Sequence, residues 1–159
     1  MEQKALSKWL KVIIVGVGLC GLVVYLFVIP ELGREIVGQY PQFKGWYMPW
    51  LIFISATAIP CYIALVFGWM IAGNIGRDRS FCMDNAKYLK WISWLAAGDA
   101  IYFFAGNVVM LFANMNHPGV IVISLFVIFA GVAIAVAAAA LSHLVKKAAV
   151  LQEESDLTI

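Results

Sequence analysis

Charge is what this sequence has least of. Only 13% of its 159 residues are Asp, Glu, Lys or Arg, against 64% hydrophobic, and the mean hydropathy is +0.91. Soluble domains carry about 25% charged and about 45–50% apolar residues, so an ordinary globular core is excluded. Cysteine is scarce and odd in number: Cys20 and Cys61 lie in apolar runs and Cys82 in a polar segment. That makes neither a disulfide framework nor a zinc spacing. The two histidines, His117 and His143, fall at opposite ends of apolar runs and cannot share a metal. There is no H-E-x-x-H, nucleophile elbow, P-loop or catalytic acid pair, so no enzyme, cofactor or metal site is expected. No period of about 20–50 residues repeats, which excludes a solenoid. Gly16-Val17-Gly18-Leu19-Cys20-Gly21 fits G-x-G-x-x-G, but the strand and the βαβ unit that a dinucleotide site needs are missing. The glycines read instead as a thin helix face against which a neighbour packs.

What is present is apolar sequence in long blocks. About 20 such residues cross a bilayer as a helix. Four spans are expected, at about 12–29, 49–73, 91–113 and 120–141. Lys4, Lys8 and Lys11 lead into the first as an amphipathic, uncleaved anchor, and Pro30 is expected to end it. A short surface helix around Leu32, Ile36 and Val37 and an aromatic cluster of Trp46, Tyr47 and Trp50 follow. Pro60, mid-span, predicts a kink, with Ser55, Thr57 and Cys61 placed to satisfy the carbonyl it frees. The periodicity from Met83 onward predicts one long helix, roughly 82–114, projecting from the bilayer, with Ser80 or Cys82 as its cap. The fourth span ends in small residues, AGVAIAVAAAA, and residues 142–159 continue as an amphipathic extension that frays into an acidic tail. The fold class is therefore an all-α integral membrane protein, a four-helix bundle forming one domain.

Cations set the orientation. Lys4, Lys8, Lys11, Arg77, Arg79, Lys87, Lys90, Lys146 and Lys147 share one side, and only Arg34 and Lys44 the other. The positive-inside rule then predicts cytoplasmic N and C termini in a multi-pass protein of the cell membrane. All six tryptophans fall near span ends, as an aromatic belt requires.

Asp99 is the leading site candidate, about 12 Å inside the inner boundary if the helix is straight. An acid there costs about 2.5–3.5 kcal/mol on insertion scales and needs a partner or a polar cavity. At similar depth stand Cys61 and the Pro60 region, or the glycine face of the first span. Asp99 is either a polar pin between helices or part of an ion or ligand site. Further out, Asn107, Ser55 and Thr57 are expected to form one hydrogen-bonded cluster. On the inner face Arg77, Arg79, Lys87 and Lys90 make a basic patch beside Glu153, Glu154 and Asp156, suited to lipid headgroups or a docked partner.

Pro30-Glu31-Leu32-Gly33-Arg34-Glu35, Phe81 to Lys90 (FCMDNAKYLK) and the end Leu151 to Ile159 (LQEESDLTI) resemble the YoaS-like family, small bacterial four-helix membrane proteins of unassigned function. The family's loop more often reads Ser-Pro-Phe-Ser/Thr where this chain has Arg79-Ser80-Phe81-Cys82. The resemblance implies a genomic neighbour, a very small helix-turn-helix regulator. The expected function is thus a non-enzymatic sensing or regulatory membrane protein that docks such a regulator and touches no nucleic acid itself. The alternative is a transport, resistance or immunity protein that handles an ion or small molecule through Asp99. Without inverted repeats a monomeric transporter is disfavoured, while a homo-oligomer could still conduct.

Overall fold

A computed structural model describes residues 3–115 and 118–156. His117, Asn116 and the terminal Leu157, Thr158 and Ile159 lie outside the described residues, as does the Asp156 side chain. Among the described residues there is no strand. The chain forms α1 (Gln3–Val23), a π-turn (Val24–Val28), α2 (Ile29–Gln39), a 3₁₀ turn (Pro41–Trp46), α3 (Tyr47–Ala56), α4 (Ala58–Ile75), α5 (Met83–Phe112) and α6 (Pro118–Asp156). These merge into four helical stretches long and apolar enough to cross a membrane: Gln3–Gln39, Pro41–Ile75, Met83–Phe112 and Gly119–Ser155.

Pro30 does not end the first helix. Proline lacks an N–H, and its ring crowds the carbonyl four residues back. The π-turn lets the chain widen there: Ile29 N–H bonds Val24 O, five residues back, and the helix continues to Gln39. The expected surface helix is this continuation, with Gly33 buried beneath Tyr47 and Trp50. In the second stretch the break is at Thr57, three residues before Pro60. Past residue 141 the chain stays helical: α6 runs to Asp156 with Ala149 buried, and the helix takes in Glu153 and Glu154 of the acidic end that was expected to fray.

The helices pack in chain order: α1 on α4, α4 on α5, and α5 along α6. Among the described residues α6 does not pack along α1, so the four form an open row instead of a closed bundle. Small residues set the close approaches. Ala100, Ala135 and Ala138 are buried, and a Cβ on Gly131 would sit 3.3 Å from that of Ala100. Without a hydrophobic drive in lipid, such packing supplies much of the association. Gly18 and Gly21 do form a thin face: Tyr62 hydroxyl donates to Gly18 O at 2.7 Å, and its oxygen lies 3.0 Å from where a Gly21 Cβ would be. Gly16 faces open space.

The alternating direction of the helices gathers the chain's cations. Ser7 bonds Ala72 O (2.6 Å), Ser80 bonds Gln3 (3.0 Å) and Ser142 bonds Ala86 O (2.7 Å), all at one end. We call this the basic end. The Lys11 ammonium lies 5.1 Å over the Trp69 ring there, a cation–π contact between α1 and α4. The opposite, far end holds Trp46, Tyr47 and Trp50.

Candidate functional site

Two polar constellations stand out, one mid-helix and one at the basic end. The first forms where both proline-disturbed helices meet α5. Thr57 Oγ1 donates to Ile54 O at 2.7 Å, which uses its single proton. The Tyr25 hydroxyl, 2.8 Å away, is therefore the donor to Thr57 Oγ1. Tyr25 sits within the π-turn and Thr57 at the break between α3 and α4, so this bond ties one helix irregularity to the other. Cys61, four residues after Thr57 and on the same face, directs its thiol at Asp99 Oδ2, 3.8 Å away. Tyr25 also neighbours Cys61. Asp99 is half-buried on α5. The four side chains bring hydroxyl, thiol and carboxyl together from three helices, with Thr57 buried, Tyr25 and Asp99 half-buried and Cys61 on the exposed surface of α4. Pairing them lowers the cost of polar groups at a depth where an unmatched one is costly.

Of the partners expected at the depth of Asp99, Cys61 is the one whose side chain faces it. The expected cluster of Asn107, Ser55 and Thr57 is not formed. Thr57 is buried against Tyr25, Ser55 is exposed, and the Asn107 amide donates to Phe103 O of its own helix at 2.8 Å. A helix position gives depth from the sequence, but here the azimuth turns Thr57 toward α1. Pro60 itself is half-buried and carries no side-chain partner chemistry. Tyr25 escaped the sequence reading, although a tyrosine well inside a span was its signal.

The second constellation locks the loop between α4 and α5. Arg77 and Arg79 N–H both bond Asn74 O (3.0 Å each), and Asp78 takes a left-handed conformation, φ 57°. Asn85, 1% exposed, is the pin. Its amide donates to Arg79 O (3.2 Å) and Ser80 O (3.0 Å), while its oxygen accepts from Asn74 Nδ2 (2.8 Å). Cys82 stands at the N-cap of α5 in extended conformation without a side-chain capping bond. Asp84, in the first turn, meets Arg79 at 3.8 Å, an exposed pair of small energetic weight. Neither Asn74 nor Asn85 was singled out by sequence, because an asparagine beside a polar loop ordinarily reads as solvated.

Beside this loop lies an open groove of about 450 Å³ between the start of α5 and the end of α6. Arg79, Phe81, Met83, Asp84 and Glu153 line it. Phe81 is 58% exposed. Lys87 and Lys90 are exposed one and two turns beyond Met83 on the same face of α5, and Arg77 is exposed on the loop. Glu154 is exposed beside Glu153 at the end of α6. The structure thus brings Arg79 and Glu153 to one groove and sets Lys87 and Lys90 along its continuation. Among the described residues no three His, Cys, Asp or Glu side chains converge as a metal site would require.

Comparison with known proteins agrees with the membrane reading. The model of the family described as "Protein of unknown function (DUF2975)" matches residues 31–159. Over 155 residues the chain is 34% identical to the uncharacterized membrane protein YoaS of Bacillus subtilis (strain 168), covering 95% of this chain and 96% of that protein. No solved structure matches the chain.

Proposed function

The chain belongs to the DUF2975 family, and on that premise we propose that it is a non-enzymatic regulatory protein of the cell membrane. Both termini face the cytoplasm. The basic end docks a small helix-turn-helix transcriptional regulator, held or released according to a change within the membrane. The observation that carries this reading is the course of α5. One unbroken helix of 30 residues holds Asp99 in the mid-helix cluster and Asn85 in the loop lock, and Met83 lines the groove. At 1.5 Å per residue, Asp99 and Asn85 are about 21 Å apart on one rigid rod. A change in the packing of Asp99 therefore has a mechanical route to the basic end.

The orientation rests on the cations. Nine of the eleven Lys and Arg residues gather at the basic end, which the positive-inside rule assigns to the cytoplasm. The groove suits a protein partner: Phe81 and Met83 offer apolar contact, rimmed by charges of both signs from Arg79, Asp84 and Glu153. The family resemblance, with its expected helix-turn-helix neighbour, supplies the partner class. Contact with DNA would belong to the regulator and not to this chain.

Tagged full-length protein, solubilised from native membranes in mild detergent, should retain a helix-turn-helix protein identifiable by mass spectrometry. A version lacking residues 152–159, which removes Glu153 from the groove wall, should lose most of it. Full-length protein that retains no DNA-binding partner would contradict the reading.

A further inference from the structure

The far half of the molecule contains a cavity that the docking function does not use. It has a volume of about 430 Å³ and lies between α2, α3 and α5. Ligand pockets run from about 300 to 1,000 Å³, so it is large enough for a molecule. Below it α3 meets α5 through aromatic side chains. Phe53 reaches across to Gly106 and stacks on Phe103, with ring centroids 5.8 Å apart.

The chemistry of the wall is hydrocarbon. The two tyrosines that line it have turned their hydroxyls to the backbone. Tyr47 donates to Pro30 O and Tyr102 to Phe53 O, each at 3.3 Å. Among the described residues no charged side chain lines it. An apolar cavity of this kind does not hold water stably and accepts apolar ligands. Its shape is a slot along the helix axes. On α5 it runs from Tyr102 to Ala113, which is about 16 Å of helix rise. At its outer end stands Trp46, 50% exposed, with Trp50 one turn further in. Tryptophans at such a level mark the headgroup region of a bilayer.

We propose that this slot binds one acyl chain of a bilayer phospholipid, with the headgroup at Trp46 and the chain end toward Phe53 and Tyr102. Three observations converge on that occupant. The slot is walled by apolar side chains and elongated along the helix axes, it reaches the belt where headgroups lie, and among the described residues no charge is there to orient a polar solute.

The test uses bromine, which quenches tryptophan fluorescence at contact. Full-length protein with Trp9, Trp69, Trp91 and Trp94 changed to Phe retains only Trp46 and Trp50, both on the slot. In detergent micelles it is titrated with dibromostearoyl phosphatidylcholine and, separately, with dibromostearic acid. The phospholipid should quench saturably at a single chain per protein. Ala105→Phe, which fills the slot from α5, should reduce the saturable part several-fold. Ala113→Phe, at the helix end, serves the same purpose if Ala105→Phe does not give monodisperse protein. Quenching that rises linearly with probe and equally in the filled variants would overturn the proposal. Saturation by the free acid alone would overturn the assignment to a phospholipid.

Discussion

Replacing Asn85 with leucine should free the loop that precedes α5 and make its backbone at the already exposed Arg77 and Arg79 cleavable by trypsin. Asn85 is almost fully buried and makes three side-chain hydrogen bonds, two of them to loop carbonyls. Leucine is of similar size, so the change removes polarity without leaving a large void. Asn74 Nδ2 and the carbonyls of Arg79 and Ser80 would each lose a partner. A buried group left unsatisfied costs about 1–3 kcal/mol. Because the loss is confined to one loop, local opening bears it first. Cleavage at Arg77 and Arg79 should then accelerate roughly ten- to hundredfold, since each 1.4 kcal/mol is about a factor of ten. Lys146 and Lys147, exposed on α6, provide the internal reference and should be cut at an unchanged rate. Equal rates at the two arginines in both proteins would show that Asn85 does not hold the loop.

Gly106→Ala should destabilise the molecule more than an added methyl at any other glycine whose surroundings are described. The new Cβ would fall within the Phe53 ring. That ring has little room to retreat, because it stacks on Phe103 (interplanar angle 4°) and lies against Tyr102 with centroids 5.0 Å apart. Overpacking of this kind costs about 1–3 kcal/mol. The distinguishing measurement is a double-mutant cycle on thermal unfolding in detergent. Phe53→Leu alone removes aromatic contact and lowers the midpoint. In the Gly106→Ala background the same change relieves the clash and should raise it. Strict additivity of the two losses would mean that Phe53 and Gly106 do not meet. The pair also forms the inner boundary of the acyl slot, so the double variant alters its depth.

Both predictions rest on contacts that the sequence did not reveal, and the reason is physical. The number of spans, the long α5, a glycine face in the first span against which some neighbour packs, and Cys61 among the candidate partners of Asp99 were legible. Each follows from run length, from composition or from matching depths. The resemblance carried by residues 30–35, 81–90 and 151–159 was legible too, and the family match agrees with it. Closure of the helices was not. In water an apolar stripe marks the face that packs, but a helix in lipid is apolar all round and loses that mark. The chain therefore reads equally well as a closed bundle and as the open row observed. The helix through Pro30 was hidden for another reason. A missing N–H predicts a break only if the backbone keeps its four-residue register, and the π-turn at Val24–Val28 changes the register instead. That turn places Tyr25 beside Thr57, and so draws Thr57 away from Asn107.

In the proposed function α5 couples the Asp99 cluster to a cytoplasmic basic end. Cys82, at the N-cap of α5 and half-buried beside Asn74, reports on both the orientation and the coupling. In full-length protein with Cys20→Ala and Cys61→Ser it is the sole thiol, and serine keeps a donor facing Asp99. Reaction with a membrane-impermeant maleimide is then timed in sealed vesicles of each orientation, with Asp99 intact or replaced by leucine. Cys82 should react only from the cytoplasmic face, and several-fold faster in Asp99→Leu. Labelling from the outer face would contradict the orientation. Equal rates with and without Asp99 would contradict the coupling and leave the carboxyl a local role, such as holding an ion.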